Sequence, residues 1–148
     1  MLTRMKKRGA MCAFALALLF APDASATVWP SSHQRVAQML DSGDITERRN
    51  AAARITTLPP KLARTLAAKA LRDGDTEVRI HGARAAAAVG LDKAGDEVME
   101  WLQDRDARLR LAACEVIEAS PTPQSVRALA RVLGDAEADV RRAAAAAM

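Results

Sequence analysis

LRDGDTEVR, residues 71–79, returns as LQDRDARLR at 102–110 and as LGDAEADVR at 133–141, each time thirty-one residues on. A weaker copy, LDSGDITER, occupies 40–48. Leu40, Leu71, Leu102 and Leu133 open the copies, and Arg48, Arg79, Arg110 and Arg141 close them. A fixed interval held through four copies marks a repeat architecture, in which each unit is a supersecondary element that buries its apolar face against its neighbours.

Each unit reads as two helices. Ahead of the turn, apolar residues fall at i, i+3 and i+4: Val36, Met39 and Leu40; Ala67, Ala70 and Leu71; Val98, Trp101 and Leu102; Leu129, Val132 and Leu133. That spacing predicts a short amphipathic helix with one buried stripe. Pro60 and Pro123 suit the first turns of two such helices. Gly43 and Gly74 suit turn positions with positive φ. The second acid of each turn (Asp44, Asp75, Asp106, Glu137) is placed to cap the next helix, its carboxylate accepting an otherwise unpaired backbone N–H. The second helix, such as 78–89, is alanine-rich and strongly helix-forming. At about 100° per residue, Val78, Gly82, Ala83, Ala86 and Val89 share one side, and Arg79 falls within the same arc.

The pattern L-x-D-x-D-x-x-V-R-x-x-A-A resembles the short HEAT-type repeat, in particular the phycobilisome-lyase HEAT-like subclass, from Ser31 to Met148. The tetratricopeptide and ankyrin signatures are absent. The resemblance implies an all-α solenoid of about four helix-turn-helix units: 32–58 (degenerate), 59–90, 91–121 and 122–148 (uncapped). It also implies a ladder in which Arg79, Arg110 and Arg141, together with Arg48, bridge acids or carbonyls at the turns, with Asp73, Asp75, Asp104, Asp106 and Asp135 as the acids. Partly buried guanidinium groups need such partners. Copy one departs from the pattern with Ser42 and Glu47, copy four with Glu137. Relatives of this kind include enzymes, lyases that handle a chromophore and glycosylases that act on DNA.

The N-terminus follows different rules. MLTRMKKRG is basic, AMCAFALALLFA is apolar, and Ala24-Ser25-Ala26 follows Pro22 and Asp23. This is the layout of a secretory signal peptide over 1–26, cleaved before Thr27, with 27–31 a short leader. The apolar run is too short for a transmembrane span, which needs about 20 residues, so no membrane insertion of the mature chain is expected. Removing residues 1–26 takes away Arg4, Lys6, Lys7, Arg8 and Asp23, so the formal charge falls from +4 to +1. The basic character that would suggest nucleic acid goes with the signal. Both phenylalanines and Cys12 go as well, leaving Trp29, Trp101 and a lone Cys114, which reads as a buried small residue. Surfaces that stack bases need several aromatics, and none is expected here.

Acids that return in every unit have an architectural role available in every unit, whereas catalytic pairs need asymmetric surroundings. No catalytic residue is assigned. His33 and His81 lie in different units without metal-ligand spacing, so neither metal nor cofactor is expected. His81 reads as an exposed position. The remaining surface is the row of outward positions on the second helices: Arg49, Asn50, His81, Arg84, Glu115 and Arg142, with Ile80 and Leu111 either beside them or packed between units. Solenoids bind partners along such strips. The reading is therefore an exported, periplasmic or extracellular, non-catalytic scaffold for another protein; the alternative is a lyase-like or chaperone-like subunit holding a cofactor or substrate protein. DVRRAAAAAM ends without a polar cap. The chain continues in a longer protein, or pairs there as a homo-oligomer or with another molecule, or tolerates the exposure.

Overall fold

A computed structural model describes residues 31–148; the expected signal peptide over 1–26, the expected cleavage before Thr27, and Trp29 lie outside these residues. Among the described residues there are eight α-helices and no strand: α1 (Ser32–Leu40), α2 (Ile45–Ala52), α3 (Pro60–Ala70), α4 (Thr76–Val89), α5 (Ala94–Glu97), α6 (Ala107–Ala119), α7 (Ser125–Val132) and α8 (Ala138–Ala146). The expected all-α solenoid is borne out. Helices α1, α3, α5 and α7 open the four units, and α2, α4, α6 and α8 pack successively on one another as an inner row.

Local chemistry explains where the helices start. Ser31 and Gln34 form a reciprocal capping box on α1. Pro60 takes the first position of α3, behind Pro59 at the cap. Asp44, Asp75 and Asp106 each accept a backbone N–H at the start of α2, α4 and α6. Glu137 caps α8 without a side-chain bond, because its extra methylene carries the carboxylate past the N–H groups that aspartate reaches.

Three expectations need correction. Pro123 stands before α7, in a turn closed by Ser125, whose Oγ donates to the Thr122 carbonyl at 2.7 Å. Gly43 and Gly74 do not adopt positive φ; among the described residues only Gly90 and Lys93 do. The reason lies in the first turn residue. Asp73, Asp104 and Asp135 accept the backbone N–H two residues on at 2.8, 2.8 and 2.9 Å, and the Ser42 hydroxyl does so at 3.1 Å. That side-chain closure makes the turn without a left-handed residue, so Arg105 and Ala136 serve where Gly43 and Gly74 stand. Finally, the first helix of unit three is broken into α5 and a 3₁₀ segment, Met99–Gln103. No side chain caps α5. The tighter winding repeats every three residues and so keeps Val98 and Trp101 together on the buried side.

The core is a continuous seam of small and branched residues. Ala51, Ala52, Val78, Ala83, Ala86, Leu109, Ala113, Val116, Ile117, Val140 and Ala144 are all buried on the second helices. Small residues let the helices approach closely. A Cβ added to Gly82 would lie 2.7 Å from the Ala70 Cβ and 2.9 Å from its backbone, so α3 and α4 touch there backbone to backbone. The left-handed Gly90 ends α4, and the Leu91 N–H returns to the Ala86 carbonyl at 2.9 Å.

Candidate protein-interaction surface

The ladder is present with one rung missing. Arg48 donates through Nε and Nη2 to the Asp73 carboxylate of the next unit at 3.0 and 3.4 Å, while Nη1 holds the Ser42 carbonyl of its own turn at 3.0 Å. Arg110 repeats the arrangement one register later, with Asp135 at 2.7 and 2.9 Å and the Asp104 carbonyl at 2.9 Å. Arg141 holds its own turn, donating to the carbonyls of Asp135 and Ala136 at 2.6 and 2.8 Å.

Arg79 departs from its expected role. Its guanidinium lies over the Trp101 ring, 5.6 Å from the centroid, and its Nη2 donates to the Thr76 hydroxyl at 3.3 Å. Its Nε is buried without a partner, and Asp104 does not receive it. Unit three places a tryptophan where the other units carry Met39, Ala70 and Val132. The π face beside the arginine offers a cation site worth about 0.5–2 kcal/mol, which takes the place of the carboxylate.

A second, more exposed set of pairs runs beside the first. Arg49 grips Asp75 through two bonds of 2.8 and 2.6 Å, and Arg108 bridges Glu77 of the preceding unit and Asp106 of its own. Arg49 is thus tied into the stack rather than free on the surface. The signal for these pairs was present in the sequence, since Glu77 and Arg108 are opposite charges thirty-one residues apart. The Arg49 guanidinium is the main cause that holds the Asp75 carboxyl down at about 2, aided by the Val78 and Glu77 N–H groups. Arg108 lowers Asp106 and Arg110 lowers Asp135 by the same means.

Between α4 and α6 the inner row opens into a small groove of about 160 Å³, lined by Glu77, Ile80, Arg84, Arg108, Leu111, Ala112 and Glu115. Arg84 and Glu115 face outward there, Ile80 is buried as its floor, and Leu111 is half-buried. A second groove, about 380 Å³, lies between α6 and α8, where Leu111 meets Asp139, Arg142, Ala143 and Ala146. Leu111 joins the two. Arg142 is exposed and pairs with Asp139 within α8, and Asn50 is exposed on α2. His81 is half-buried rather than exposed, because α4 is crowded between α2 and α6.

The thiol of Cys114 is fully buried in α6, and burial pushes its pKa up to about 11. It is neither reachable nor ionised at neutral pH. Among the described residues no group of three or more His, Cys, Asp or Glu side chains could hold a metal ion, and no helix is long and apolar enough to cross a membrane.

The sequence model of the HEAT repeats matches residues 63–148, more than half of the chain. The chain belongs to the HEAT-repeat family. Among solved structures, the crystal structure of an engineered protein superposes on this HEAT-repeat chain with a TM-score of 0.61 at 20% identity, covering 78% of this chain and 60% of that one. The chain thus spans 60% of that protein's length, and the likeness shows the fold alone. No curated protein matches it. The HEAT-repeat fold is typical of protein-interaction scaffolds.

Proposed function

We propose that this HEAT-repeat protein is an exported, non-catalytic adaptor that binds a segment of another protein along the grooves of its inner helix row. The observation that carries the reading is the α4–α6 groove, where an aliphatic floor of Ile80 and Leu111 is rimmed by Arg84, Glu115 and the Glu77–Arg108 pair. An apolar centre with a polar rim of both signs suits an amphipathic peptide: aliphatic side chains supply the burial and the rim sets register. The basic, apolar and A-x-A segments of residues 1–26 support export to the periplasm or cell exterior. The repeats also follow the phycobilisome-lyase HEAT-like pattern in turn sequence.

The test is photo-crosslinking in intact cells from a reactive residue placed at Arg84, followed by identification of the captured protein. One partner is expected, lost when Leu111 is replaced by Asp in a chain that still shows the full helical circular dichroism. Self-crosslinks alone would overturn the adaptor reading. A chromophore that co-purifies, seen by absorbance, would replace it with a cofactor-holding role. Mass measurement of the secreted or periplasmic protein tests the cleavage before Thr27. DNA binding predicts salt-dependent retention on DNA, and retention no stronger than that of a neutral control is expected.

A further inference from the structure

The two walls of the α4–α6 groove stand in one register. Helix α4 supplies Glu77, Ile80 and Arg84, and α6 supplies Arg108, Leu111 and Glu115, each thirty-one residues later. At one end of the groove Glu77 and Arg108 pair with each other. At the other end Arg84 and Glu115 are again opposite charges in register and both are exposed, yet among the described residues neither enters an ion pair. Elsewhere on the inner row Arg49 is taken by Asp75 and Arg142 by Asp139. The groove thus has a neutralised end, an aliphatic middle, and an open pair of unlike charges about one helical turn beyond it.

That layout selects an occupant. The groove volume of about 160 Å³ equals about five waters at roughly 30 Å³ each, which is room for one aliphatic side chain. A phosphate backbone would meet Glu77 and Glu115 on the rim. An extended segment finds no strand to pair with among the described residues, so its backbone N–H and C=O groups would lie unpaired on the aliphatic floor. A helix satisfies those groups internally and presents side chains alone. At about 100° per residue, the side chains three and four places from a helical anchor lie about 60° to one side of it and about 40° to the other, one turn along. Seated between α4 and α6, such a helix sends those two side chains to opposite walls.

We infer that the α4–α6 groove takes an amphipathic helix of a partner protein whose aliphatic anchor sits over Ile80 and Leu111, and whose residues three and four places away are one acid, facing Arg84, and one base, facing Glu115. The inference rests on the groove being the docking surface and adds the chemistry that the groove reads. The anchor supplies burial and the two charges supply register. Reversing the helix brings the residue three places before the anchor to the wall that the residue three places after it had reached. One order of acid and base therefore fits, and the other meets like charges on both walls.

The experiment uses three fluorescently labelled, alanine-based helical peptides. Each carries leucine as the anchor, and the residues three and four places on are Glu-Lys, Lys-Glu or Lys-Lys. Fluorescence anisotropy should rank one of the two mixed orders about tenfold above the other, because two attractions at a screened rim are exchanged for two repulsions. The double variant Arg84→Glu with Glu115→Arg should reverse that ranking, an effect that differences in peptide helicity cannot produce. Equal binding of the two orders, a ranking that survives the swap, or binding by none of the peptides would overturn the inference. Tightest binding of the Lys-Lys peptide would overturn it too, since the rim would then act as a plain acidic surface. If circular dichroism shows that the swap impairs folding, Arg84→Gln with Glu115→Gln should instead level the two orders. Cellular capture that is abolished by Leu111→Asp but accompanied by no charge ranking would leave the groove as the docking surface and remove this inference alone.

Discussion

Gly82 and Gly74 are both glycines, and opposite outcomes follow from their surroundings. A Cβ at Gly82 runs into the Ala70 backbone, whereas one at Gly74 meets nothing within 4 Å. Helix propensity alone favours Gly82→Ala by about 1 kcal/mol, but overpacking of a tight contact costs about 1–3 kcal/mol, and rigid backbone gives way least. Urea unfolding should therefore show Gly82→Ala destabilised and Gly74→Ala close to neutral. Cys114 makes a second residue-scale case. Since its thiol is buried and its pKa stands at about 11, labelling by a thiol reagent at pH 7 should proceed at the rate of opening and become fast in denaturant. Rapid labelling of the native protein would contradict the burial.

At the scale of the helix pair, the turns connect charge to stacking. Asp75, Asp106 and Asp135 all have folded pKa values below the ordinary carboxylate value. The stability they contribute is present above their unfolded pKa near 3.8 and is lost as pH falls, for Asp75 through about 2. Stability should thus decline as pH drops from about 4 toward 2, and Arg49→Ala should flatten the Asp75 part of that decline while lowering stability at pH 7. The rungs also differ in shielding. Arg110 and Asp135 are 15 and 9% exposed as side chains, whereas Arg108 is 60% exposed. Arg110→Ala strands a shielded carboxylate and should cost about 1–3 kcal/mol; Arg108→Ala, in a screened setting, should cost less. Thermal unfolding of the two variants side by side checks the order.

Over the whole molecule, one residue type in one register behaves differently according to its neighbours. Leu102→Ala removes a buried side chain and should cost about 2–5 kcal/mol, while Leu133→Ala, at an exposed position in residues 31–148, should cost a small fraction of that. Equal losses in denaturant unfolding would mean that Leu133 is covered in solution. Much of this arrangement was legible beforehand. The thirty-one-residue period exposed the helix pairs, the aspartate caps and the Arg48 and Arg110 rungs, since each depends on residues close in sequence or on the register itself. The broken first helix of unit three was not legible: Val98, Trp101 and Leu102 fit an α-helical stripe and a 3₁₀ turn almost equally well.

The amino-acid sequence by itself determined the unit and its period, because propensity, capping and apolar spacing act over a few residues. Tertiary structure decided what the periodic code leaves degenerate. Arg79, identical in its motif to Arg110, turns to Trp101 because of one bulky side chain that the code does not register. Arg49 is committed to Asp75 by the position of the next unit. Leu133 is exposed where Leu40, Leu71 and Leu102 are buried, because burial belongs to a pair of neighbouring surfaces, and a residue's own motif names only one of them.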